Sequence, residues 1–390
     1  MADLDDLRTR LDAIDRGIAQ ALRDRLDTVA DIARVKRDGL DFLRDHERES
    51  QLLNNIEATA RELALDPFRT REIFREVVAM SLKAQEEALL ERRRAEAGER
   101  QAHRVAFQGT EGSYSQLAAR KYFAERAGEM QFEGHDSFAE ALAAVESGAA
   151  GYALLPIENT TAGSINQTYE LLRGTHLAII GEEVLHIRHC LAAPRMIEAS
   201  RLRKVLSHPQ ALAQCSRFLA SLNAEVVAYR DTAAAAREVR DTDDSGVAAI
   251  ASEAAAGIYG LEIVARDIAD QPENWTRFVV VSALRIEPDR RIPSKISLLL
   301  TTPHRHGALA HCLEVLSRHG LNLCKLESRP EPRRPWEYLF YVDVEGHVAD
   351  DGASRALAQL RRECPYFKVL GCYPARTTSD GAVDRMERTS

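Results

Sequence analysis

Several features that mark other classes of protein are missing from this chain of 390 residues. No apolar run approaches the ~20 residues that a membrane span requires, and the acidic N-terminus, MADLDDLRTR, lacks the apolar core of a signal peptide. No block rich in lysine and arginine occurs, and the formal net charge of −8 argues against nucleic acid as the main partner. These absences predict a cytoplasmic protein that binds neither nucleic acid nor membrane.

The cysteines and glycines also exclude several kinds of site. The six cysteines form no C-x-x-C pair and no metal-like cluster with histidine, so we expect reduced thiols and no metal. No G-x-G-x-x-G loop follows a predicted strand, so no dinucleotide site is expected either. The sequence therefore implies no metal and no organic cofactor.

The N-terminal region is rich in charge and poor in helix-breaking residues. The first 100 residues contain one proline, three glycines and no tryptophan, and 42 of them are charged. Apolar residues recur there at helical spacing, beginning with Leu4, Leu7, Leu11, Ile14 and Ile18. The pattern predicts three helices, at about 3–36, 45–64 and 68–94. Because the core is thin and the first helix is long, we expect residues 1–91 to form a homodimer, with higher oligomers left open.

In the rest of the chain the spacing of the apolar residues changes. After a polar linker at 92–103, short apolar strands alternate with helical stretches over 104–285, which predicts a doubly wound α/β domain. The chain leaves the first sheet near Leu177 and returns near Asp270, so we expect two lobes with a cleft between them. Residues 294–374 follow the order βαββαβ, a ferredoxin-like unit. The polar tail at 375–390 is predicted to be disordered.

Polar residues on the predicted helices could form an anion site. The candidates are Arg8, Arg25, Lys36, Asp45, Arg48, Glu49, Ser81 and Gln85. Arg25 and Lys36 fall about 20° from the same helical face, whereas Arg8 lies too far along the helix for the same pocket and could reach only a partner's. Ordinary solvated charges explain the same spacing, so the pattern leaves both interpretations open.

The segment RTRLDAIDRGIAQALRDRLDTVADIARVKRDGLDFLRDHERE resembles the all-helical chorismate mutase family. The resemblance implies an intertwined dimer with chorismate bound at all eight candidate positions and Arg8 supplied by the other subunit. It implies that Arg8, Arg25 and Arg48 hold the two carboxylates. Lys36 and Gln85 would bind the ether oxygen, and Glu49 the hydroxyl. The rearrangement needs no nucleophile, so the protein helps by holding a compact conformer and stabilising charge.

Three polar motifs follow predicted strands of the α/β region. They are GTEGSYS (109–115), PIENTTAGS (156–164) and SHPQALAQCS (207–216). Ligands bind beyond the carboxyl ends of strands in such sheets, so the motifs should meet at one rim. Helix capping explains single Ser, Thr and Asn residues equally well. Ser207 and His208 are neighbours that point apart on a strand, which argues against a hydrolytic dyad.

These motifs and the tripeptide Thr276-Arg277-Phe278 resemble prephenate dehydratase, a two-lobed fold similar to periplasmic binding proteins. The last strand should return antiparallel into the first lobe, with Thr276 facing the cleft. The resemblance implies that Thr276 supplies the proton or strong hydrogen bond that the leaving hydroxide needs. It implies that prephenate also contacts Ser113, Glu158, Asn159, Thr160, His208, Gln214, Arg277 and Phe278.

The C-terminal unit resembles an ACT domain that binds L-phenylalanine as a feedback effector. The resemblance rests on two motifs, GAL (307–309) and ESRP (327–330). It implies contacts with the effector from Gly307, Ala308, Leu309, Glu327, Ser328 and Arg329. A polar strand end is the alternative for ESRP.

The whole chain is thus identified as a member of the bifunctional chorismate mutase/prephenate dehydratase family. Three other classes fit less well. A solute-binding protein would need export. A transcription regulator would need shorter helices than these, which carry 19 basic and 23 acidic residues over the first 100. A fusion to prephenate dehydrogenase would need a dinucleotide loop.

Overall fold

The computed structural model describes residues 4–35, 46–96, 104–124, 126, 129–331 and 338–376. Contacts divide the chain into two compact units. The first contains residues 1–98 with 288–293 and 384–390, and the second contains 99–287 and 294–383. Among the described residues, no helix combines the length and the apolar character needed to cross a membrane.

The first unit is built on the three predicted helices. They are α1 (Leu4–Val35), α2 (His46–Glu62) and α3 (Pro67–Glu96), each within two residues of the predicted bounds. Asp66 caps the third helix, because its Oδ1 accepts from the backbone N–H groups of Phe68 and Arg69 at 2.9 and 3.1 Å. Pro67 takes the first helical position, where its missing N–H is not needed.

The apolar stripe of α1 has little to pack against among the residues that the structure describes. Its five N-terminal members, Leu4, Leu7, Leu11, Ile14 and Ile18, are 45% to 62% exposed. The buried apolar residues described in this unit are few, namely Leu53, Ala60, Leu89, Leu90 and Ile292. A long amphipathic helix with this much exposed apolar surface requires another surface to cover it.

The second unit alternates strands and helices as the sequence predicts. Its strands are β1 (Arg104–Gln108), β2 (Gln131–His135), β3 (Tyr152–Asn159), β4 (Gly163–Ser164), β5 (Ala178–His186), β6 (Cys190–Ala193), β7 (Lys204–Ser207), β8 (Glu225–Ala228), β9 (Val247–Ala251), β10 (Glu262–Ala265), β11 (Trp275–Ser282), β12 (Ser294–Thr301), β13 (Leu323–Pro330), β14 (Tyr338–Glu345) and β15 (Tyr366–Pro374). Its helices are α4 (Tyr114–Tyr122), α5 (Phe138–Glu146), α6 (Asn166–Gly174), α7 (Pro209–Gln214), α8 (Ser216–Ala220), α9 (Thr232–Thr242), α10 (Glu253–Ile258), α11 (Ala308–Arg318) and α12 (Asp351–Glu363).

Two lobes are present, joined by two crossing segments. The first lobe contains the order β5-β11-β3-β1-β2, and the second is a separate sheet with the order β10-β6-β9-β7-β8. The chain crosses after β5 and returns before β11, which runs antiparallel to both β3 and β5. The predicted return of the last strand is therefore confirmed, and it brings Thr276 opposite Asn159 of β3.

The C-terminal elements follow the predicted βαββαβ order and extend the first lobe's sheet. Their strands lie in the order β13-β14-β12-β15, and β15 continues the sheet beside β5. Gly371 makes this junction possible, because a Cβ there would lie 2.0 Å from the carbonyl oxygen of Ile179. The two regions that the sequence predicts as separate domains thus share one sheet.

The two faces of β11 enter different cores. Phe278 and Val280 pack with α4, in a cluster that includes Ala118 and Phe123. Val279 and Val281 pack on the other face, with residues of α5, α6 and the C-terminal sheet. Because side chains alternate along a strand, Thr276 shares the face of Phe278, and Arg277 shares the face of Val279.

Candidate active sites

The helical unit brings three of its predicted site residues to one place between α1 and α3. The Arg25 guanidinium donates to the carbonyl of Val77 at 3.3 Å, and the Ser81 hydroxyl donates to the same carbonyl at 2.7 Å. Gln85 Nε2 reaches the carbonyl of Val29, at 3.5 Å. Burial lowers the pKa of Arg25 from its ordinary value. A cation, a hydroxyl and an amide thus converge at the junction of two helices.

Three of the remaining predicted residues of this site are described by the structure. Arg48 and Glu49 are on the first turn of α2, where Glu49 is half-buried. Arg8 is exposed on α1 and pairs with Asp5 at 3.3 Å. Lys36 and Asp45 lie outside the described residues.

Thr276 lies in a buried network of neutral groups at the first lobe's rim. Asn159 Nδ2 donates to Thr276 Oγ1 at 2.9 Å and to Asn274 Oδ1 at 2.8 Å. The orientation of this amide is fixed, because Asn159 Oδ1 accepts from the backbone N–H groups of Thr161 and Ala162 at 3.0 and 2.8 Å. Thr276 therefore acts as an acceptor toward Asn159, and its hydroxyl proton is left for another partner.

Gln214 of the second lobe joins this network from across the crevice. Its Nε2 donates to Thr161 Oγ1 at 2.6 Å, and its Oε1 accepts from Asn274 Nδ2 at 3.1 Å. The ring of His189, from the crossing segment, contacts the same Oε1 at 2.9 Å, and its other nitrogen lies 3.0 Å from Tyr114 Oη. The three polar motifs therefore meet at one rim, as their position after strands predicts.

Sequence reasoning assigned no site role to four members of this network: Tyr114, Thr161, His189 and Asn274. Tyr114, Thr161 and Asn274 stand within or beside the quoted motifs, so proximity in sequence could have pointed to them. His189 has no such signal, because its partners lie 25 and 75 residues away.

Three predicted prephenate residues make local structural bonds. Ser113 caps α4 by accepting from the backbone N–H of Gln116 at 3.4 Å, and His208 Nδ1 caps α7 by accepting from that of Gln210 at 3.2 Å. The Thr160 hydroxyl accepts from the backbone N–H of Trp275 at 2.9 Å and holds the start of β11. The capping interpretation left open by the sequence thus describes Ser113, and the cap made by His208 was not anticipated.

Glu158 and Arg277 do not share the face of Thr276, contrary to the expectation that they line the same pocket. Arg277 donates to Glu182 Oε2 at 2.6 Å, Asp343 Oδ2 at 2.7 Å and Tyr373 Oη at 3.0 Å. Glu158 pairs with Lys325 of β13 at 2.8 Å. The reason is alternation along the strand, which turns neighbours of Thr276 and Asn159 toward the C-terminal sheet.

Phe278 does share the face of Thr276, but its ring is not at the rim. It is fully buried behind Thr276 in the core with α4. Phe278 thus has a packing role in this core, and its expected contact with prephenate stays a prediction.

The predicted effector residues divide between two faces of β13 and the start of α11. Gly307 precedes α11 with a φ of +73°, a conformation that glycine adopts without strain, and no side chain caps the helix there. Glu327 accepts from the Ser164 hydroxyl at 2.8 Å and pairs with Arg329 at 3.1 Å, so both face the first lobe. Ser328 is exposed on the opposite face, across from Phe340. Ala308 is buried, and Leu309 packs on the core beneath α11.

Comparison with known proteins finds two families in the chain. Residues 7–86 match "Chorismate mutase type II", and residues 105–285 match "Prephenate dehydratase". The "Bifunctional chorismate mutase/prephenate dehydratase" of Enterobacter agglomerans is 37% identical over 372 residues, covering 95% of each chain. The protein of the same name from Escherichia coli K12 is 36% identical over 370 residues, again with 95% of each chain covered.

Solved structures resemble the second unit. A prephenate dehydratase from Arthrobacter aurescens, in complex with L-Phe, has a TM-score of 0.63 and 31% identity, covering 70% of this chain and 90% of its own. GqqA, described as a quorum quenching acylase, has a TM-score of 0.63 and 34% identity, covering 70% and 98%.

Proposed function

The chain belongs to the bifunctional chorismate mutase/prephenate dehydratase family, and we propose how its described residues divide the family's two reactions. It converts chorismate to prephenate, and then prephenate to phenylpyruvate, carbon dioxide and water, in L-phenylalanine biosynthesis. The helical unit is the isomerase, and the two-lobed part of the second unit is the lyase. All six cysteines are free thiols, which supports the cytoplasm as its compartment.

For the mutase, the site is the convergence of Arg25, Ser81 and Gln85 between α1 and α3. A pericyclic rearrangement is accelerated by holding the reactive conformer and by charge placed beside the ether oxygen and the carboxylates. The half-buried Arg25 guanidinium can hold a carboxylate, and the Gln85 amide can donate to an ether oxygen. Lys36, Asp45, Arg48 and Glu49 complete the site in this proposal.

The mutase unit is proposed to work as a homodimer in which Arg8 enters the partner's site. Arg8 and the exposed stripe of α1 lie on the same helix, so a second copy that covers the stripe would also receive Arg8. Mixing Arg8→Ala with Gln85→Ala protein tests this. Random exchange should restore about one quarter of wild-type mutase turnover, since half of the dimers then carry one intact site. A mixture as inactive as its two parents would contradict the shared site.

For the dehydratase, the observation that carries the proposal is the hydrogen bond from Asn159 Nδ2 to Thr276 Oγ1. It leaves the Thr276 proton directed away from Asn159. In the reaction the bond from the ring to its carboxylate breaks and releases carbon dioxide, and the electron pair moves into the ring and expels the hydroxyl. Hydroxide leaves poorly unless it receives a proton or a strong hydrogen bond, which Thr276 supplies. Asn159 and Gln214 hold the surrounding groups in place.

Thr276→Val tests this role because valine keeps the shape and removes the hydroxyl. We expect dehydratase kcat to fall by about 10²-fold or more, the usual contribution of a positioned proton donor. Thr276→Ser is the matched control and should retain most of the activity. Mutase turnover, measured on the same samples, should not change. Normal dehydration by Thr276→Val would remove Thr276 from the mechanism. Acylase activity in a protein without prephenate turnover would favour instead the activity for which GqqA is named.

The βαββαβ unit is proposed to be an ACT domain that binds L-phenylalanine and inhibits the dehydratase. The related Arthrobacter aurescens structure contains L-Phe, and Gly307 begins α11 with an uncapped helix N-terminus. Ala308, Leu309, Glu327, Ser328 and Arg329 are the other proposed contacts. Inhibition requires that the effector bind one arrangement of the unit more tightly than another. The bond from Ser164 to Glu327 shows that this strand already contacts the first lobe.

A further inference from the structure

We propose that His189 is a positioning residue for dehydration, because its ring holds Gln214 in the orientation that matches the direction of a closed ring of hydrogen bonds attached to Thr276. The inference rests on the proposed role of Thr276 as the donor to the leaving hydroxyl. His189 precedes β6 on the segment that crosses between the lobes, and it is 2% exposed. It contacts no reacting atom in this proposal and acts through Gln214.

Four side chains close the ring of hydrogen bonds. Asn159 donates to Asn274 at 2.8 Å, and Asn274 donates to Gln214 at 3.1 Å. Gln214 donates to Thr161 at 2.6 Å, and the Thr161 hydroxyl donates back to Asn159 Oδ1 at 2.7 Å. Every donor therefore points the same way around the ring.

Such a ring has two possible directions. Reversing the three amides and the hydroxyl would keep all four bonds, because the oxygen and nitrogen of an amide occupy nearly equivalent positions. In the observed direction, Asn159 presents an N–H to Thr276 Oγ1. In the reversed direction it would present its oxygen, and Thr276 would have to donate its only proton to Asn159. The direction of the ring thus decides whether that proton is available to a substrate.

Groups from both lobes fix the observed direction. On the first lobe, the backbone N–H groups of Thr161 and Ala162 donate to Asn159 Oδ1. On the crossing segment, His189 Nε2 lies 2.9 Å from Gln214 Oε1. That atom accepts a hydrogen bond from Asn274, so it is the amide oxygen, and a nitrogen that faces it is favourable only as a donor. Burial lowers the pKa of His189, so the ring is neutral near pH 7 and carries one proton. With that proton on Nε2, His189 donates to Gln214 Oε1, and Nδ1 is left to accept from the Tyr114 hydroxyl, whose single proton is shared with the carbonyl of Arg188 at 2.5 Å.

The experiment exploits the different reach of two amides. In His189→Gln the side-chain amide can place an N–H near the position of Nε2, whereas in His189→Asn it reaches only the position of Nδ1. We expect His189→Gln to retain most of the dehydratase kcat and His189→Asn to lose about tenfold, the effect of one lost bond to a buried acceptor. The change should fall on kcat more than on KM. His176→Asn, at an exposed histidine of the same unit, is the matched control and should behave as wild type.

A second experiment tests whether His189 affects the dehydratase kcat by way of Gln214. On a Gln214→Met background, His189→Asn should cause little further loss, since the oxygen that it serves is gone. Equal damage by His189→Gln and His189→Asn, equal retention by both, or losses that multiply with Gln214→Met would each overturn the proposal. Thermal unfolding of each variant separates loss of folding from loss of turnover. If Thr276→Val dehydrates normally, the proposed donor fails. If Thr276→Val is inactive and His189→Asn is normal, only this inference fails.

Discussion

Two adjacent residues of β11, Thr276 and Arg277, face two buried environments of opposite character. Thr276 meets neutral amides and hydroxyls, beginning with Asn159. Arg277 donates to the carboxylates of Glu182 and Asp343, and that of Glu158 lies 4.0 Å away. Lys295 pairs with Glu182 as well, at 3.0 Å. One strand therefore has a neutral polar network on one face and an ion cluster on the other.

The difference concerns which groups can move a proton. Burial alone would raise the pKa of Glu182, but the charges of Arg277 and Lys295 outweigh it and bring the pKa to about 2. Burial alone would lower the pKa of Arg277, yet Asp343 and Glu182 raise it well above its ordinary value. Ions held this firmly do not exchange protons near neutral pH. The neutral face keeps a hydroxyl proton available, so it is the face suited to chemistry.

The ion cluster also joins parts of the molecule. Glu182 belongs to β5 and Arg277 to β11, both in the first lobe, whereas Lys295 and Asp343 belong to β12 and β14 of the C-terminal sheet. These ion pairs thus clamp β11, on the face opposite Thr276, to the proposed effector domain. Tyr373 adds a hydroxyl to the same cluster, donating to or accepting from Ser297 at 2.6 Å.

The largest expected effect on stability is that of Arg277→Leu, which removes the guanidinium from the ion cluster. Removing the guanidinium leaves Glu182 and Asp343 as buried charges with one fewer partner, so we expect the second unit to lose about 3–5 kcal/mol of unfolding free energy. Denaturant unfolding of the full chain, followed by the fluorescence of its two tryptophans, both of which lie outside the helical region, measures this. Arg195→Leu is the control, because its pair with Asp243 is exposed and should contribute less than about 1 kcal/mol. Equal effects of the two substitutions would show that the cluster is not a clamp.

Lowering the pH should remove the contribution of the ion cluster to folding stability over a defined range. Because the folded pKa of Glu182 is about 2 and its ordinary value is 4.5, this carboxylate stabilises the fold above pH 4.5. That contribution is lost as the pH falls from about 4.5 toward about 2.

Glu182→Gln, which keeps the shape and removes the charge, provides the comparison. The difference in unfolding free energy between wild type and variant should be constant above pH 5 and should shrink below pH 4.5. A difference that stays constant through that range would contradict the depressed pKa. The measurement needs only the second unit's unfolding transition at a series of pH values.

Local patterns explain which features the sequence could predict. Helical periodicity placed the three helices within two residues of their observed bounds, and the return of the chain near Asp270 predicted two lobes. Strand alternation, which the sequence analysis applied to Ser207 and His208, applies equally to Thr276 and Arg277 and could have placed Arg277 on the opposite face. His189 could not be found in this way, because its role depends on partners brought together only by the folding of two lobes.

The smallest expected effect on stability is that of Thr276→Val, on the neutral face of β11. The amide of Asn159 loses Thr276 Oγ1 as an acceptor but keeps Asn274 Oδ1 at 2.8 Å and the carbonyl of Trp275 at 3.1 Å. No buried donor is left unsatisfied, so the unfolding free energy should change by about 1 kcal/mol or less. The same denaturant experiment, run beside Arg277→Leu, measures it. A loss as large as that of Arg277→Leu would mean that Thr276 supports the fold, and a fall in dehydratase turnover could then no longer be assigned to proton donation.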